Sequence, residues 1–188
     1  MNTNRLTESI EKALNAQITK EAHASQIYLS YASWAERQGL SGIAVFLFRH
    51  AEEERYHMMK ILKYILKRGG QVRLETIPAP PENPSDLKTC FERAFKHEVD
   101  NTKSVYEIVK KSFDEADWAT WNFMRWFVKE QVEEETLVMN LLDKLKISGG
   151  ENIGGNELYV LDRDLGKIAS EPDARQDLEP EVVEHKVE

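Results

Sequence analysis

A sixteen-residue stretch, QVRLETIPAPPENPSD (71–86), carries four of the chain's six prolines and cannot continue a helix. On both sides of it the apolar residues recur at helical spacing. Leu6, Ile10, Leu14, Ile18, Tyr28, Ala32 and Ala35 build one face, which breaks at Gln38–Gly39–Leu40–Ser41 with Ser41 placed as an N-cap. A second helix follows through Phe46, Leu47, Met58, Ile61, Leu62 and Ile65 and stops at Gly69–Gly70. Beyond the prolines, Ser85 or Asp86 caps a third helix through Phe91, Phe95, Val105, Ile108 and Val109. A polar turn near Glu115–Ala116–Asp117 leads to a fourth, from about Trp118 to Ile147. Gly149–Gly150 and Gly154–Gly155 bracket a joint, and Leu158, Leu161, Leu165 and Ile168 then mark a short amphipathic helix.

Connection lengths select the topology. Short turns after the first and third helices make two antiparallel hairpins. The proline-rich link could reach about 50 Å if extended, and the second helix is about 40 Å long. The link can therefore return along the whole bundle, so helices two and three run parallel. The expected fold is all-α: a four-helix bundle with one long crossover between helices two and three, plus a short fifth C-terminal helix.

The 188 residues suit one domain, expected over 1–170. The last 18 residues, EPDARQDLEPEVVEHKVE, hold seven acids against two bases and too few apolar groups to pack, so 171–188 reads as a flexible acidic tail. One cysteine excludes an internal disulfide. The longest apolar run, GIAVFLF (42–48), is too short to span a bilayer, and the N-terminal MNTNRLTESIEKALNAQ has no apolar signal core. The net charge of −8 argues against a nucleic-acid binder. A soluble, cytoplasmic protein is expected, with neither membrane nor nucleic acid as partner.

The sharpest signal lies inside the apolar stripes. Leu14–Glu21–Tyr28, Leu47–Glu54–Ile61, Phe91–Glu98–Val105 and Phe127–Glu134–Leu141 are each spaced by seven. Each long helix thus puts a glutamate where its stripe calls for a core residue. Counted from the turns, the four lie within about one helical turn of a common depth. Four buried carboxylates repel one another and lose solvation, so most are protonated or cations sit among them.

Two divalent ions match four carboxylate charges. His57, at i+3 from Glu54, adds a neutral imidazole of the kind that transition metals favour and calcium does not. Gln131 stands at the same offset before Glu134. This donor set points to iron or manganese more than zinc, with a metal-free polar network as the alternative. Glu53, Glu130 and Glu133 are weaker candidates, since acid runs such as those at 52–54 and 133–135 are normally solvated. His23, His50 and His97 read as surface residues or makers of ordinary hydrogen bonds, and Cys90 as a packed thiol. Trp118, Trp121 and Trp126 read as an aromatic cluster in the core or at a subunit interface.

The segments FLFRHAEEERYHM (46–58), KHE (96–98) and WFVKEQVEEE (126–135), with LNAQITKEAHASQIYLSYASW (14–34), resemble the bacterial non-haem ferritins over roughly residues 6 to 168. The resemblance implies a ferritin-like bundle in a 24-subunit hollow shell that oxidises Fe(II) with O2 or peroxide and stores the ferric mineral. By position, it implies that Glu21, Glu54 and His57 bind one iron. Glu54 would bridge to a second held by Glu98 and Glu134, with Gln131 close by. A third iron site falls on Glu53, Glu130 and Glu133 with Glu134 shared, and Tyr28 matches the tyrosine beside the dinuclear centre. The short fifth helix is expected near a symmetry axis.

Departures from related bundles sharpen the expectation. Glu134 is followed at i+3 by Leu137 rather than a histidine, so the second iron lacks an imidazole and is held more loosely. Arg55 stands where bacterioferritins carry their haem-binding Met, so no haem is expected. The resulting reading is an iron-storage ferroxidase. The alternative is a non-storage di-iron oxidoreductase or peroxidase on the same bundle.

Overall fold

The computed structural model describes residues 3–170, and the acidic stretch 171–188 lies outside the described residues. The elements are α1 (Glu8–Arg37), α2 (Ser41–Lys67), α3 (Leu87–Asp114), α4 (Trp118–Ile147), a 3-10 turn at Gly150–Asn152, and α5 (Gly155–Ser170). No strand occurs among the described residues, and none of their helices is long and apolar enough to cross a membrane.

Three of the long helices begin on a side-chain cap that accepts an otherwise unpaired backbone N–H. Thr7 takes the N–H of Ile10 at 3.2 Å, Asp86 that of Thr89 at 2.7 Å, and Asp117 that of Thr120 at 3.1 Å. The start of α2 departs from expectation. Its cap position is Leu40, which has no polar side chain to offer, and Ser41 is already helical. The missing acceptor comes from α5, where Asp162 Oδ1 accepts the N–H of Ile43 at 2.9 Å.

Side-chain pairs across the bundle set the helix directions. Ser9 meets Lys111, Lys20 meets Ser104 and Tyr28 meets Glu98, so α1 and α3 are antiparallel. Tyr64 meets Thr120 while His50 approaches Glu134, so α2 and α4 are antiparallel. Because α1 and α2 form a hairpin, α2 and α3 run parallel, as the long link requires. That link leaves α2 along the start of α1, where Asn15 Oδ1 accepts the N–H of Arg73 at 2.6 Å.

Glycine permits α5 to lie against α2. A Cβ on Gly42 would fall 1.9 Å from the carbonyl oxygen of Asp162, and one on Gly166 would fall 3.0 Å from the Cα of Gly42. The apolar face of α5, Leu161 and Leu165, is buried in the chain's own core, so α2 already fills it. Tyr159, Val160 and Ile168 remain exposed. Arg49 donates through Nη1 to the carbonyls of Ile168 at 3.1 Å and Ala169 at 3.4 Å, satisfying acceptors at the end of α5. The expected tryptophan cluster divides. Trp118 and Trp121 meet edge to face near the surface, whereas Trp126 turns toward Phe127 and His57.

The apolar core comes in two parts. One, around Ile10, Ile18, Ile61, Ile65 and Met124, fills the end where α2 finishes. The other, around Tyr31, Ile43, Leu47, Phe91 and Leu165, fills the end where α2 begins. Between them lies a buried polar layer.

Candidate metal centre

The layer receives a glutamate from every long helix. Glu21, Glu54, Glu98 and Glu134 are all buried, with Glu21 and Glu98 at 0% exposure. The heptad spacing explains this, because each residue continues the stripe that buries its neighbours at i−7 and i+7. Glu21, Glu54 and His57 each offer a donor atom within 4.8 Å of the others, and His57 Nδ1 lies 3.3 Å from Glu54 Oε2. These three could hold one cation.

Crowding carboxylates shows in their proton affinities. Burial, then the charges of Glu98 and Glu21, raises the Glu54 carboxyl well above the usual carboxylate range. Burial also pushes Glu98 upward, but the His97 ring, with Nδ1 3.8 Å from Oε1, and the Tyr28 hydroxyl outweigh it and leave Glu98 lowered. Tyr28 donates to Glu98 Oε1. Burial, reinforced by the charges of Glu98, Glu54 and Glu134, keeps the Tyr28 phenol protonated well past its ordinary range.

Amides complete the layer. Gln17 Nε2 donates to Glu21 Oε1 at 2.7 Å and to Asn101 Oδ1 at 2.6 Å. Asn101 Nδ2 donates to Glu21 Oε2 at 3.3 Å. Gln131 Nε2 donates to Thr102 Oγ1 at 3.2 Å and lies 3.5 Å from Glu98 Oε2. Gln17 and Asn101 escaped the sequence reading, although Gln17 is i−4 from Glu21 and Asn101 is i+3 from Glu98 on the same faces.

The outer acids separate. Glu130 is buried, with Oε1 3.9 Å from His57 Nε2, and Glu53 faces inward beside Arg49, whose Nε lies 3.1 Å from Glu53 Oε1. Glu133 does not join them. Its side chain is 43% exposed and lies 3.4 Å from Lys129 Nζ, because the residue before Glu134 is turned about 100° away around the helix.

His50 makes the ordinary hydrogen bond that the sequence reading allowed, but it is not at the surface. It is only 5% exposed, and while Nδ1 makes an ordinary hydrogen bond with the Phe46 carbonyl at 3.0 Å, Nε2 points into the acids. His50, Glu53 and Glu134 form a second group of donor atoms within 4.8 Å of one another. Its signal was the i+3 offset to Glu53 and the i+4 offset to Glu54. Cys90 is buried as expected, and burial pushes its thiol up to about 12.

A family model described as the ferritin-like domain matches residues 11–148. Among curated proteins, the chain is 38% identical over 165 residues to a probable bacterial non-heme ferritin-like protein of Haemophilus influenzae, covering 88% of this chain and 98% of that one. It is 38% identical over 164 residues to the bacterial non-heme ferritin of Campylobacter jejuni, covering 87% and 96%. Among solved structures, an open pore ferritin from the archaeon Archaeoglobus fulgidus superposes with a TM-score of 0.82 at 35% identity, over 88% of this chain and 98% of that one. A form of the Archaeoglobus fulgidus ferritin engineered to be closed gives the same TM-score at 36% identity, over 86% and 96%.

Proposed function

The chain belongs to the bacterial non-haem ferritins of the ferritin-like family, and from that premise we propose that it stores iron by oxidising Fe(II) in its polar layer. The observation that carries the reading is the layer itself, four buried glutamates dividing an apolar core, with Glu54 held against Glu21, Glu98 and Glu134. Such a cluster is unfavourable empty and becomes favourable around divalent cations.

Fe(II) is here both substrate and cargo. Glu21, Glu54 and His57 take one ion, and Glu54 shares its second oxygen with another held by Glu98 and Glu134, with Gln131 beside it. Two ferrous ions each release one electron, which O2 or peroxide accepts. The protein contributes placement and charge. Tyr28 steadies Glu98 by donating a hydrogen bond, and its raised proton affinity keeps it a donor. Leu137 at i+3 from Glu134 leaves the second ion without an imidazole, which suits an ion that moves on to a mineral. Glu53 and Glu130 extend the path as a third site, which Glu133 joins only by leaving Lys129. The unit works as a cytoplasmic homo-oligomer, a 24-subunit shell, with exposed apolar groups such as Leu74, Tyr106 and Phe113 available for burial between subunits.

An aerobic Fe(II) titration of metal-free protein tests this, with iron then counted across the large-particle peak in size-exclusion chromatography. Iron co-eluting far beyond two per chain is the expected result. Uptake that stops near two per chain would make the protein a non-storage di-iron oxidoreductase instead. Glu54→Ala and His57→Ala should abolish oxidation while leaving assembly intact.

A further inference from the structure

We propose that Gln17 and Asn101 are positioning residues of the iron-oxidising layer, a pair of amides that aims the carboxylate of Glu21 at the first ion. The inference rests on the ferroxidase reading and adds to it the side chains that orient one of its ligands.

Three side chains close a hydrogen-bonded ring between α1 and α3. Gln17 Nε2 donates to Glu21 Oε1 at 2.7 Å and to Asn101 Oδ1 at 2.6 Å, and Asn101 Nδ2 returns to Glu21 Oε2 at 3.3 Å. All three residues are buried. The sense of the ring admits no reversal. Turning Gln17 over would set its oxygen against oxygens at both contacts, and turning Asn101 over would set oxygen against Glu21 and nitrogen against nitrogen at Gln17. The last torsion of a glutamate is soft. One amide donor on each oxygen fixes the plane of the Glu21 carboxylate and leaves each oxygen a lone pair for an ion. Glu54 and His57 offer their own donor atoms within 4.8 Å.

The same orientation carries across the layer. Asn101 Nδ2 also lies 3.4 Å from Gln131 Oε1, which turns Gln131 Nε2 toward Glu98, 3.3 Å from its carbonyl and 3.5 Å from Oε2. Gln131 therefore meets Glu98 as a donor, with its oxygen pointed at Asn101. Packing alone does not call for such a pair. Buried amides are costly unless their groups are matched, and an apolar pair of the same shape needs no matching. Here the groups that match them are a carboxylate of the ion-binding set and each other. Ligands held by outer partners of this kind lose about 10- to 100-fold in metal affinity when the partner is removed.

Anaerobic Co(II) titration of the metal-free assembled protein, followed by calorimetry and visible absorption, tests the pair. Asn101→Leu and Gln17→Leu should each weaken Co(II) binding in the layer about 10- to 100-fold. Because the two amides act as one unit, the double variant should lose about as much as either single one. Losses that multiply would overturn the proposal. A merely structural role would lower stability in urea and leave the affinity where it was, which would overturn it too. Wild type that takes up no Co(II) would overturn the ferroxidase reading and this one together. Wild-type binding that both leucine variants leave intact would overturn this one alone. Should Asn101→Leu fail to assemble, Gln17→Leu decides by itself. At least about tenfold weaker binding supports the pair, and unchanged affinity refutes it.

Discussion

Replacing Gly42 with alanine should detach α5 from α2 while leaving the four-helix bundle folded. The new Cβ would sit 1.9 Å from the backbone oxygen of Asp162 and 2.7 Å from its carbonyl carbon, a collision that no side-chain rotation relieves. Carbon and oxygen settle at about 3.3 Å or more, so α5 must retreat by about 1.4 Å. The retreat breaks the Ile43–Asp162 hydrogen bond, costing about 1 kcal/mol for a helix cap. Overpacking and the loosened seats of Leu161 and Leu165 add about 1–3 kcal/mol. The combined loss of about 2–4 kcal/mol should speed hydrogen exchange of the α5 amides roughly 30- to 1,000-fold, and open the helical backbone at the already exposed Arg163 and Lys167 to trypsin. Gly155→Ala is the matched control. Nothing lies within 4 Å of its Cβ, so the same change at the first residue of α5 should stabilise by about 0.4–1 kcal/mol. Exchange in Gly42→Ala within about threefold of wild type would refute the crossing as the constraint.

The polar layer and the core supply the other predictions. Because the Glu54 carboxyl is raised, metal-free protein should lose stability as pH climbs from the unfolded value of about 4.3 through the higher folded one. Glu54→Gln should flatten that part of the slope, measured as the difference between the two proteins in urea unfolding followed by circular dichroism. Equal slopes would show that Glu54 does not carry the strain. Gln17→Leu leaves Glu21 and Asn101 short of their donor and should cost metal-free protein about 1–3 kcal/mol in the same assay. A neutral result would mean that water replaces the amide. Cys90, pushed up to about 12, should resist a disulfide reagent at neutral pH until the chain is denatured. Rapid labelling of the native protein would contradict its burial.

Residue spacing revealed the buried glutamate layer because the heptad count follows helix geometry directly. Glu21, Glu54, Glu98 and Glu134 needed no tertiary information beyond the length of two turns and one link. His50 eluded the same count because one histidine on a helix is ordinarily a surface residue, and its burial depends on Tyr28 arriving from α1. Glu133 and Glu130 stand in one acidic stretch with opposite fates, decided by whether each shares the face of Glu134. The cap of α2 was beyond any local rule. Ser41 has the right chemistry, yet the acceptor that is used comes from Asp162, 119 residues from Ile43.

Arg49 gives the chain's last described helix a stake in the chemistry. One guanidinium reaches Glu53 through Nε and the final carbonyls of α5 through Nη1. A fixed positive charge beside a candidate ligand is therefore positioned by how well a remote helix is seated. Trimming α5, or displacing it with a fused tag, amounts to retuning the voltage at Glu53 from some hundred residues away. The seat of the end of α5 is thus written into the charge that Glu53 feels.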